Sequence, residues 1–99
     1  MALLTWDIYE IVTSSQITGI MFRGRLRKFA LSHNITLLTE NAVEKENMVR
    51  FAVLEGSNII SIENFLKTFL DNVNLEKVLT TQNPVLSKLK VNIENRYTI

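Results

Sequence analysis

Gly19-Ile20-Met21-Phe22-Arg23 stands between two kinds of hydrophobic periodicity, and its reading decides the fold. Upstream, Ile8, Glu10 and Val12 alternate with Tyr9 and Ile11. That predicts a strand over residues 8–12 with apolar groups on both faces, as in the middle of a sheet. Thr13-Ser14-Ser15-Gln16 then breaks the run with loop-forming residues. Downstream, Phe22, Leu26, Phe29, Ala30 and His33 fall at i, i+4, i+7, i+8 and i+11, one face of a helix over residues 22–33. Arg23, Arg25, Arg27 and Lys28 lie mostly off that stripe and read as a solvated face. Asn34 suits the helix end, because asparagine tolerates the left-handed conformation found there. The quoted stretch is therefore a strand-to-helix junction.

The rest of the chain repeats the pattern. Residues 35–39 read as a second strand rich in β-branched residues and leucine, and Asn41 closes it. The polar residues up to Met48 read as a hairpin loop, and residues 49–54 as a third strand. After a break at Gly56-Ser57-Asn58, Ile62, Phe65, Leu66, Phe69 and Val73 make the stripe of a second helix over residues 61–72. Ser61 is its expected N-cap. Residues 75–81 are the fourth strand, and residues 86–93, after the turn at Gln82-Asn83-Pro84, a short fifth strand at an edge. The order β-α-β-β-α-β predicts an α+β, ferredoxin-like two-layer sandwich, with two helices covering one face of an antiparallel sheet. In the β-α-β unit the strands run parallel, so both end at the same edge of the sheet. That brings the loop before Arg23 close to Asn41.

Composition narrows the function. At 99 residues the chain is one domain, residues 1–99. Apolar residues make up 46% and charged residues 21%, too apolar for a disordered chain. Eleven basic and ten acidic residues leave a net charge of +1, which argues against a dedicated nucleic-acid binder. The absence of cysteine excludes disulfides, thiolate nucleophiles and Cys-based metal sites, and a single histidine excludes a multi-histidine site. No signal-peptide pattern or membrane-length apolar run is present, so the expected location is cytoplasmic, with no membrane partner.

The chemistry concentrates at the junction. A loop entering a helix N-terminus presents unpaired N–H groups and the positive end of the helix dipole, where anions bind readily. Gly19 permits close backbone approach. Arg23 adds a fork matched to phosphate oxygens, and Asn41 offers both an acceptor and a donor to a water and an oxygen.

At this point the chain resembles the acylphosphatase family. The family's first loop reads Gly, a branched aliphatic, a variable residue, Phe and Arg, which Gly19-Ile20-Met21-Phe22-Arg23 is similar to. Ala30 matches the helix alanine seven residues after the arginine, and Asn41 falls where the family has an asparagine ending strand two. Glu55-Gly56 and Leu86-Ser87-Lys88-Leu89 extend the resemblance, which runs from Tyr9 to about Val91. The resemblance implies hydrolysis of the carboxyl–phosphate mixed anhydride of a small acyl phosphate, with inorganic phosphate as a product; a monomer is expected. It implies no metal and no cofactor. It assigns phosphate binding to the loop Ile17, Thr18, Gly19, Ile20, Met21 and Phe22 together with Arg23, and orientation of the attacking water to Asn41.

A second reading stays open: a catalytically impaired module of the same fold that binds phosphate or a partner. Its motives are Ser15 where the family usually has glycine, which predicts backbone strain if that position has positive φ, and Thr18 where the family has Gln. A further motive is a longer hairpin carrying Glu44 and Glu46, with Glu40 beside Asn41. A single-stranded RNA binder is disfavoured, because no aromatic platform is evident on the sheet.

Overall fold

The computed structural model describes residues 4–17, 22–42, 45–82, 84–85 and 90–91. They form β1 (Trp6–Val12), α1 (Phe22–Ser32), β2 (Leu37–Asn41), β3 (Val49–Leu54), α2 (Ile60–Lys67), β4 (Asn74–Thr81), β5 (Pro84–Val85) and β6 (Lys90–Val91). The first four strands make an open antiparallel sheet in the order β2-β3-β1-β4. β5 and β6 pair only with each other. The expected fifth strand is thus corrected: among the described residues it is half of a separate two-stranded ladder, not an added edge of the main sheet.

β1 and β2 are each antiparallel to β3, which lies between them, so they run parallel without touching. The register sorts side chains by face. Ile11, Val49 and Asn41 share one row, as do Tyr9, Phe51 and Thr39. On this face Ile11, Val49, Phe51 and Val53 pack against Phe22 and Leu26 of α1 and Ile62 and Leu66 of α2, so both helices cover the same side. The opposite face carries Trp6, Ile8 and Ala52, also buried, with Leu38, Leu54 and Leu79 against them. Burial on both faces explains why β1 and β3 alternate so little in polarity.

The helix ends follow local chemistry. α1 stops at Ser32, one residue before the expected end. Asn34 has φ 55°, the Asn34 N–H donates to Leu31 O, and the Ile35 N–H donates to Ala30 O at 2.8 Å. This doubled closure satisfies carbonyls the helix would leave bare. α2 corrects two expectations. Its N-cap position is Ile59, not Ser61, and Asn58 Oδ1 accepts the Ile60 N–H at 2.9 Å. It ends at Lys67 rather than at residue 72. The Thr68 hydroxyl donates to Phe65 O, the Thr68 N–H bonds the same carbonyl, and Asn72 adopts φ 53°. Among the described residues no helix is long and apolar enough to cross a membrane.

Candidate functional site

The end of the sheet where β1 and β2 finish is assembled from three distant parts of the chain. Ile11 and Asn41 both lie opposite Val49, so their backbones stand two strand spacings apart, about 10 Å. α1 has 11 residues and β2 has 5, about 16 and 17 Å long. The short link from Ser32 to Leu37 makes α1 return alongside β2. The first turn of α1, with Arg23, therefore lies at the end where Asn41 closes β2. Arg23 is exposed and Asn41 half-buried.

The loop leaving β1 is pinned on two sides. Toward the turn after α2, the Thr13 hydroxyl and the Ser14 N–H both donate to Asp71 O, and Ser15 Oγ accepts the Asp71 N–H at 2.8 Å. Asn72 Nδ2 donates to Ser14 Oγ at 3.0 Å. Toward the β2–β3 hairpin, Asn47 Oδ1 accepts the Ile17 N–H at 2.7 Å and its Nδ2 donates to Ser15 O at 2.8 Å. Asn47 itself has φ 51°, the left-handed conformation that asparagine tolerates in turns.

These contacts revise the expected roles. The Ile17 side chain is fully buried and its amide serves Asn47, so Ile17 anchors the loop and does not offer its N–H to an anion. Thr18, Gly19, Ile20 and Met21 lie outside the described residues. The Phe22 ring is in the core, 2% exposed and 6.0 Å from the Phe69 ring centroid. Ser15 does not have positive φ, so the strain expected from replacing a glycine is not there; its hydroxyl and carbonyl are instead structural bonds. Arg25, Arg27 and Lys28 are all exposed as expected, and the Arg25 guanidinium also lies 4.0 Å from the Phe69 ring centroid, a cation–π contact.

Of the acidic residues near Asn41, Glu40 is turned to the other face of the sheet. Glu40 pairs in register with Arg50 on the sheet face opposite Asn41, as successive strand positions alternate. Glu46 is exposed, and Glu44 lies outside the described residues. On that opposite face, Glu10 is 3% exposed and Arg50 fully buried. Arg50 Nε and Nη2 each lie 2.8 Å from Glu10 Oε2, and Lys45 Nζ is 3.0 Å from Oε1. Burial pushes the Glu10 carboxyl up, but the hydrogen bonds and charges of Lys45 and Arg50 together outweigh it and hold it below its ordinary value. A lowered folded-state pKa stabilises the fold fully above the unfolded value and loses that contribution as pH falls through the folded one. Denaturant midpoints are therefore expected to decline below about pH 5, with a shallower acid limb in Glu10→Gln. Equal slopes for the two proteins would assign the acid sensitivity elsewhere.

Clefts of about 500 and 430 Å³ lie on the two flanks of α1, against the start of β2 and against α2; neither is lined by Arg23 or Asn41. The chain matches no protein-family model, no curated protein and no solved structure.

Proposed function

We propose that this chain is an acylphosphatase-like hydrolase that cleaves the carboxyl–phosphate bond of small acyl phosphates. The proposal includes the ferredoxin-like description of the fold. Read from its other edge, the sheet order is β4-β1-β3-β2, with α1 and α2 each linking strands that flank a third.

The observation that carries the functional reading is the shared end of Arg23 and Asn41 beside a loop fixed from both sides. Helix polarity adds to it. The first turn of α1 holds no acidic residue, and Arg23 and Arg25 stand near the positive end of the dipole. Like charges there are unfavourable, and an anion at the helix entrance would reverse the sign of that term. In the proposed reaction Arg23 binds the phosphoryl oxygens with amides from residues 18–22. Asn41 orients a water toward phosphorus. The new P–O bond forms as the bond to the carboxylate oxygen breaks, and carboxylate and inorganic phosphate leave. Because a carboxylate is a good leaving group, positioning and charge stabilisation suffice.

The test is hydrolysis of a simple acyl phosphate with inorganic phosphate as competitor. Saturable turnover inhibited competitively by phosphate is expected. Phosphate binding without turnover would favour the impaired phosphate-binding module, and neither would sink both readings.

A further inference from the structure

Among the described residues, the β2–β3 hairpin meets the loop after β1 through the Asn47 side chain. Asn47 holds the backbone of residues 15 and 17 with both ends of its carboxamide, at 2.8 and 2.7 Å, across 30 to 32 residues of sequence. A carboxamide that donates to one carbonyl and accepts from an amide two residues later fixes the local dihedrals as well as the position. Two contacts hold the described part of the hairpin. The Ala42 N–H closes it on Met48 O at 2.9 Å, and Lys45 is tied to the buried Glu10. Residues 15 and 17 thus take part of their position from a hairpin distant in sequence.

We infer that Asn47 is a positioning residue for phosphate binding, setting the path by which residues 15–17 enter the loop before Arg23. The role rests on the hydrolase reading above. Asn47 touches no reacting atom; it acts through the backbone of Ser15 and Ile17. Its left-handed φ makes glycine the informative replacement, because Asn47→Gly keeps the backbone conformation and removes the clamp. Asn34→Gly is the control. Asn34 is also left-handed, at the far end of α1, and it controls for the flexibility a glycine adds.

The experiment compares wild type, Asn47→Gly and Asn34→Gly by amide hydrogen exchange and by acyl phosphate kinetics with phosphate as competitor. In Asn47→Gly, exchange at the Ile17 amide is expected to rise about tenfold or more, with β3 amides unchanged. KM and the phosphate inhibition constant are expected to rise about tenfold while kcat stays within about twofold, the signature of lost binding geometry. Asn34→Gly should move none of these. Unchanged exchange at Ile17 would overturn the clamp. Faster exchange with unchanged KM would reduce it to a structural contact and overturn the positioning role. A wild-type protein with no turnover would overturn the hydrolase reading and the role that rests on it, while the exchange data would still decide whether the clamp exists.

Discussion

Arg23→Ala is expected to lower kcat/KM for an acyl phosphate by roughly 100- to 1000-fold while leaving the fold intact. The side chain is exposed in the first turn of α1, so its removal opens no cavity in the core. What disappears, on the proposed reading, is the positive fork offered to phosphoryl oxygens whose charge shifts during transfer. Asn41→Ala provides the contrast. Asn41 is held on the helix-covered face by its register with Val49, and its proposed partner is the water. Its loss should therefore reduce kcat, by about a hundredfold at most, with little change in the phosphate inhibition constant. Steady-state kinetics on the two variants separate the roles. Wild-type turnover in Arg23→Ala would end the hydrolase proposal, and a large loss of phosphate affinity with normal kcat in Asn41→Ala would reassign that residue.

The largest effect on stability is expected from Arg50→Leu, about 3–5 kcal/mol in a denaturant titration. Arg50 is fully buried and bonds Glu10 through two nitrogens, so its removal leaves a buried carboxylate with only Lys45 from the hairpin. The cost lies in the stranded charge. Replacing both partners, as in Glu10→Leu with Arg50→Leu, should therefore recover most of the loss, because an apolar pair does not need hydration. A double variant as unstable as the single one would point to the carbon stem of Arg50, not its charge, as the stabilising part.

How much of this was legible in the sequence depends on whether the signal was local. α1 was readable from Phe22, Leu26 and Ala30, which are the residues it buries, and its end from Asn34. β3 was readable to the residue, since Val49–Leu54 is bounded by polar hairpin and turn residues. The end of α2 was misread because Phe69 and Val73 continue the apolar stripe and pack on the core from a turn instead of a helix. Ser61 had the right chemistry for a cap, yet Asn58 was better placed to accept the first helical amide. For the site, the common end of Arg23 and Asn41 followed from connectivity. The clamp did not. Asn47 in a polar loop reads as a turn residue, which it is, and nothing near it in sequence announces two bonds to residues 15 and 17. Glu10 and Arg50 were hidden in the same way, polar residues in largely apolar strands, paired only by the register of β1 with β3.

The bonds that hold Thr13, Ser14, Ser15 and Ile17 join uncharged groups: hydroxyls of Thr13, Ser14 and Ser15, carboxamides of Asn47 and Asn72, and the peptide of Asp71. Added electrolyte shortens the reach of Arg23 toward an approaching dianion and leaves such dipolar fastenings almost untouched. The ionic-strength dependence of activity in this protein therefore reports chiefly the attraction of the anion, the half-exposed Lys45–Glu10 pair being the salt-sensitive contact of the hairpin behind it.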